Sequence, residues 1–128
     1  MVRLATCCCK ALGLNVEGDP VLNGICHCDD CKQRTGSAFG WSAYFNDDQI
    51  AHRHGNPGTY DVDIVPAQQR YFCLSCGTTL FWKSGSFPGL TGVAGGCFVD
   101  NPLPEPTATY RDAKRCAWVS LPKTWRRE

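Results

Sequence analysis

The sequence predicts an all-β protein with one short helical turn. Three observations carry this. Apolar and polar residues alternate in short runs, 13 glycines and 8 prolines break the chain into brief segments, and only one segment reads as helix. Leu12, Leu14 and Val16 alternate with Gly13, Asn15 and Glu17, and Gly18-Asp19-Pro20 ends that strand. A helical turn is expected from Asp29 to Arg34, with Asp29 capping its start and Gly36 ending it. Phe39, Trp41, Ala43 and Phe45 form a strand with an aromatic face turned to the core. Further strands are expected where Val62 and Ile64 alternate with Asp61 and Asp63, at "TTLFW" (78–82) and at "CAWVSL" (116–121). The segments "HGNPG", "SGSFPG" and "NPLPEP" read as loops.

A chain of 128 residues, 43% of them hydrophobic, suffices for one modest core, and residues 1–128 are expected to form a single domain. Thirteen basic against twelve acidic residues leave a net charge of +1. That lacks the positive field on which non-specific nucleic-acid binding depends, so no nucleic-acid partner is expected. The N-terminal "MVRLATCCCKALGL" has no apolar run of signal-peptide length. No stretch approaches the roughly 20 apolar residues of a membrane span, so a cytoplasmic location without membrane contact is expected.

Ten cysteines demand an explanation. Without a secretion signal, clustered thiols point to metal binding or redox chemistry rather than to a disulfide framework. They fall into Cys7-Cys8-Cys9, then Cys26, Cys28 and Cys31, then Cys73 and Cys76, with Cys97 and Cys116 alone. Near neighbours seldom satisfy the Cα spacing of about 4.4–6.8 Å that a disulfide requires. Two thiolates on one tight turn, however, readily take neighbouring corners of a zinc tetrahedron.

In an extended segment Cys7 and Cys9 point one way and Cys8 the other. Cys73 and Cys76 have the CxxC spacing of a zinc knuckle, with Gly77 free to adopt positive φ. Together these four thiolates would close a tetrahedral, structural site tying the first strand to a distant segment. Cys26, Cys28 and Cys31 supply three ligands without a clear fourth. Either water or substrate takes the fourth position, as in catalytic zinc sites, or His27, Cys97, Cys116 or an aspartate of "DD" closes it.

Other chemistry-bearing residues have plainer readings. His27 points away from the metal if its turn is extended, and His52 and His54 are expected in an exposed loop. Trp41, Phe45, Phe81, Trp82 and Trp118 are expected in the core, and Cys97 and Cys116 as small buried residues. Lys32, Arg34, Arg70 and Lys83 could supply charge to an anionic ligand, but their default place is the solvated surface.

The stretches "CCC", "CHCDDCKQRTGSAF", "RYFCLSCGTTLFW" and "AWV" resemble the glutathione-dependent formaldehyde-activating enzyme family, which includes domains like centromere protein V. The resemblance runs from about residue 6 to residue 118, with seven cysteines in register. It implies a β-tent fold of small antiparallel sheets, with a structural zinc on Cys7, Cys9, Cys73 and Cys76. It also implies a catalytic zinc on Cys26, Cys28 and Cys31, hence two zinc ions per chain. The implied chemistry is that of a carbon–sulfur lyase or synthase: addition of glutathione, or a similar thiol, to formaldehyde or another small aldehyde, or the reverse. A non-catalytic zinc-stabilised protein-binding domain is the alternative, and dithiol redox chemistry at Cys73 and Cys76 a third. The sequence departs from the family pattern at Lys10, where glycine is usual and where an adjusted turn is expected, and in the filler Cys8.

Overall fold

The computed structural model describes all 128 residues. Eleven strands and one α-helix follow in the order β1 (Val2–Thr6), β2 (Gly13–Glu17), β3 (Leu22–Cys26), α1 (Asp29–Thr35), β4 (Gly40–Asn46) and β5 (Ile50–His54). After these come β6 (Pro57–Val62), β7 (Gln68–Cys73), β8 (Thr79–Ser84), β9 (Leu90–Ala94), β10 (Ala108–Tyr110) and β11 (Arg126–Arg127). The fold is mainly β, as the alternation predicts. A three-stranded sheet has the order β1-β2-β5, and an eight-stranded one the order β11-β10-β3-β4-β9-β8-β7-β6. Pairing is antiparallel except at β10, which runs parallel to both β3 and β11.

The core lies between the two sheets. Ala5, Leu14 and Val16 from the small sheet meet Ala43, Phe45, Leu80, Phe81 and Val93 from the large one. Strand β2 sends alternate residues inward as its sequence requires, since Leu14 and Val16 are buried while Glu17 is exposed. In β8 three consecutive residues, Leu80, Phe81 and Trp82, are buried. A register shift opposite Tyr71 and Phe72 leaves Leu80 without a ladder partner, and both Leu80 and Phe81 join the core there.

Several expectations need correction. The helix is capped by Cys28 rather than Asp29: the Cys31 backbone N–H donates to the Cys28 sulfur at 3.3 Å, and Gly36 closes the helix in the left-handed region. Residues 116–121 form turns, not a strand, and Trp118 is 76% exposed. That segment has no neighbouring strand to complete a ladder, and propensity alone does not make one. Strand β6 ends at Val62, leaving Ile64 exposed outside it. His52 and His54 lie on β5, not in a loop, although both side chains remain largely outside the core. Cys97 and Cys116 are half-buried rather than buried. Arg70 is buried and paired with Asp30, and so is not a solvated residue.

Lys10 shows how the departure from glycine is met. Its φ is 67°, so the turn keeps the left-handed conformation that glycine takes freely and lysine adopts at a cost of about 1–2 kcal/mol. The side chain is exposed, so nothing repays that cost locally. Lys10→Gly should therefore stabilise the fold by about 0.5–1 kcal/mol after the extra chain entropy of glycine is subtracted. A thermal melt should show a rise of roughly 2–4 °C.

Candidate metal centres and the adjoining cleft

The fold brings the cysteines together in two groups. Cys7, Cys9, Cys73 and Cys76 place their four sulfurs within 4.8 Å of one another. Cys7 follows β1 and Cys73 ends β7, so the group joins the two sheets. Two tight turns build it. The Lys10 N–H donates to the Cys7 carbonyl at 3.1 Å, and the Gly77 N–H, at φ 77°, to the Cys73 carbonyl at 2.8 Å. The Leu12 N–H also donates to the Cys7 sulfur at 3.3 Å. A zinc tetrahedron with bonds of about 2.3 Å has sulfur–sulfur edges of roughly 3.8 Å. The Cys7–Cys9 and Cys9–Cys73 separations are 3.7 and 3.6 Å, so these residues fit a zinc ion. A Thr78 hydroxyl 3.2 Å from the Cys76 sulfur heads the contacts that lower its pKa to about 5. Cys8 is exposed and lies outside the group.

The second group is Cys26, Cys28 and Cys31, again with sulfurs within 4.8 Å of one another. All three sit where β3 turns into α1. Sharing of protons splits their acidities: a hydrogen bond from Cys31 leads the interactions that lower Cys26 to about 6, and the same bond heads those raising Cys31. None of the residues that could have closed the group joins it. His27 is fully buried between the two strands' ends, its Nε2 2.8 Å from the Thr109 hydroxyl and its ring edge-on to Phe39. Asp29 pairs with Lys114 and Asp30 with Arg70.

Arg34 tests whether this group suits a cation. Its guanidinium carbon stacks 4.4 Å from the centre of the Trp82 ring, and its Nη2 is buried without a hydrogen-bond partner. No carboxylate pairs with it. Gly40 makes the space: a Cβ there would fall 2.6 Å from Nη2 and 3.2 Å from the Cys31 Cβ. A half-buried guanidinium packed beside Cys31, with a buried nitrogen that has no partner, is costly unless a negative charge sits nearby. Three thiolates around a divalent ion carry one net negative charge, so the residues present fit such an ion.

Cys26 opens onto a cleft of about 430 Å³ that is also lined by Leu22, Ser42, Tyr44, Phe87, Tyr110 and Arg111. The Trp82 Nε1 donates to the Tyr44 hydroxyl oxygen at 3.1 Å, leaving the tyrosine proton unassigned. Burial, foremost, raises the Tyr44 pKa, so the hydroxyl keeps that proton at neutral pH. Sequence reasoning missed Tyr44, Phe87, Tyr110 and Arg111. They come from β4, the turn after β8 and the end of β10, and no local pattern links them. The charges it singled out are engaged elsewhere: Lys32 donates to the Lys114 carbonyl at 2.7 Å, Arg70 binds Asp30, and Lys83 binds Asp47.

No helix is long and apolar enough to cross a membrane. The family model described as glutathione-dependent formaldehyde-activating enzyme matches residues 2–113. Among solved structures, a crystal structure of a Rhodobacter sphaeroides protein is similar to this chain at a TM-score of 0.61 and 21% identity, covering 75% of this chain and 87% of that one. At that identity the likeness shows the fold alone. No curated protein sequence matches the chain.

Proposed function

This chain belongs to the glutathione-dependent formaldehyde-activating enzyme family, and on that premise we propose that it is a zinc-dependent carbon–sulfur lyase or synthase. The reaction is addition of glutathione, or a similar thiol, to formaldehyde or another small aldehyde, and its reversal. One observation carries the reading: a three-sulfur group with no fourth protein ligand, one of whose members lines a cleft. A closed structural site would need a fourth ligand from the chain.

Zinc held by Cys26, Cys28 and Cys31 would supply a coordination position at which an incoming thiol gives up its proton. Three thiolates leave such an ion a weak Lewis acid, so polarising the aldehyde falls to the protein. The Tyr44 hydroxyl, which accepts from Trp82 and keeps its own proton to give, serves as a donor to the aldehyde oxygen. As the sulfur electron pair forms the carbon–sulfur bond, the carbonyl π pair moves to oxygen, which takes up a proton. The proton lost by the thiol goes to solvent, and the reaction balances. Arg34 offsets the negative charge behind Cys31, and Leu22, Phe87 and Tyr110 form apolar walls around the reacting atoms. The test is exchange NMR with ¹³C-formaldehyde and glutathione: a rate of adduct formation above the uncatalysed background supports the reading, and its absence refutes it.

Metal binding should depend on pH in a defined direction. Cys26, lowered to about 6, is a thiolate at neutral pH, whereas Cys31, raised, carries a proton there. Zinc must displace the Cys31 proton, and below about pH 6 the Cys26 proton as well. Affinity therefore falls by about tenfold per pH unit or more near neutrality, and more steeply once Cys26 protonates. Competition with a chromophoric chelator between pH 5 and 8 measures the slope. A flat profile would contradict thiolate ligation.

A further inference from the structure

Arg111 stands beside the three-sulfur group in a backbone conformation that its surroundings impose. Its φ and ψ are 56° and 43°, in the left-handed region that residues with a Cβ seldom enter. The residue before it, Tyr110, is the ladder partner of Cys26, and the Tyr110 carbonyl accepts from the His27 N–H at 3.1 Å. The next residues form the short helical turn Asp112–Lys114, in which the Lys114 N–H donates to the Arg111 carbonyl at 3.0 Å. Arg111 is therefore held against the Cys26 end of β3 by the sheet on one side and by a turn on the other. Unlike Lys32, Arg70 and Lys83, whose charged ends are engaged, and Arg34, which is packed under Trp82, its exposed side chain enters no ion pair. The other charged residue of the cleft, Glu128, has its carboxylate bound by Arg126. The remaining lining is Leu22, Tyr44, Phe87, Tyr110 and two serines.

A thiol taken up at a metal held by the three sulfurs would have this cleft, which Cys26 lines, for the rest of its body, and Arg111 is the cation there without an ion-pair partner. We propose that Arg111 reads a carboxylate of the thiol substrate, so that the cleft selects anionic thiols of the cysteinyl-peptide class over neutral ones. This rests on the thiol–aldehyde reading of the same site and adds a specificity determinant to it. A guanidinium–carboxylate contact is bidentate and directional, which suits selection among thiols of equal reactivity. Arg111 lines the cleft, and Arg111→Gln keeps the Cβ and a polar end while removing the charge.

The experiment compares wild-type and Arg111→Gln zinc-loaded protein with glutathione, glutathione diethyl ester and the neutral thiol N-acetylcysteamine. By calorimetry, wild type should bind glutathione about tenfold more tightly than the diethyl ester, whereas Arg111→Gln should not distinguish them. In turnover, the variant should raise KM for glutathione by about tenfold with kcat within about twofold, and leave kcat/KM for N-acetylcysteamine unchanged. A general structural defect would lower activity toward both thiols. Equal preference for glutathione over its ester in both proteins, equal losses with both thiols, or no glutathione binding by wild type overturns the proposal. Binding with the expected preference but no turnover by wild type would instead sink the reaction, leaving the role of Arg111 intact.

Discussion

Cys28→Ser and Cys31→Ser should reduce thiol–aldehyde turnover to the uncatalysed background while the protein stays folded. The three sulfurs lie within one six-residue corner, so a metal there cross-links very little chain and contributes little to global stability. Cys28 caps α1 through its sulfur, and serine is among the best N-capping residues, so the substituted hydroxyl can accept the same Cys31 N–H. The helix survives the loss of the ligand. A neutral hydroxyl does not replace a thiolate at zinc, and on the proposed mechanism the position that would ionise the substrate thiol is lost with the ion. Zinc content should fall from two ions per chain toward one, with the melting temperature lowered by no more than a few degrees and the circular dichroism unchanged. Turnover equal to wild type, corrected for background, would remove Cys26, Cys28 and Cys31 from the reaction.

The opposite pattern is expected at the other group, where Cys73→Ser or Cys76→Ser should unfold much of the protein. Cys7 and Cys73 are separated by about half of the chain and adjoin different sheets, so a metal held between them would close a long loop and pin the sheets together. Binding free energies at structural zinc sites in small peptides are about 10–16 kcal/mol, as large as the entire stability of a typical domain, about 5–15 kcal/mol. Losing one of four ligands forfeits a substantial part of that. Cys73 is also only 3% exposed, so serine would leave a hydroxyl in the core without its metal. Melts and zinc analysis should show a fall of more than about 15 °C, or no cooperative transition, together with the loss of this zinc. An unchanged melting temperature with two zinc ions retained would refute the structural assignment.

The contrast between the groups follows from their topology, and much of it was legible in the cysteine spacing. Alternation in an extended segment separated Cys7 and Cys9 from Cys8, and the three-residue step of Cys73 and Cys76 identified a turn. Cys26, Cys28 and Cys31 were too few in their own segment to close a site. Strand alternation likewise located β2 and β4, because each keeps one face against the core, and the threonines and aromatics of 78–82 located β8. It failed at 116–121, where the apolar pattern is present but no ladder partner is, and at Ile64, which lies beyond the end of β6. The capping role of Cys28 was hidden because a thiol is not a customary cap. Its sulfur is placed there by the turn that gathers Cys26, Cys28 and Cys31, which then starts the helix.

By itself the sequence determined the family, the mainly β class, the helical turn and the division of the cysteines, since all of these depend on residues near one another in the chain. Only the tertiary structure decided that His27 packs against Thr109 rather than turning to the sulfurs, and that Arg34 lies half-buried beside Cys31 and Gly40. It also decided which charge remains uncommitted in the cleft. Ion pairing is a relation across space, and Lys32, Arg70 and Lys83 were removed from candidacy by partners 36 to 82 residues away. Arg111 was left because β10 runs parallel beside β3, a pairing of segments more than eighty residues apart that sets its neighbour Tyr110 against Cys26.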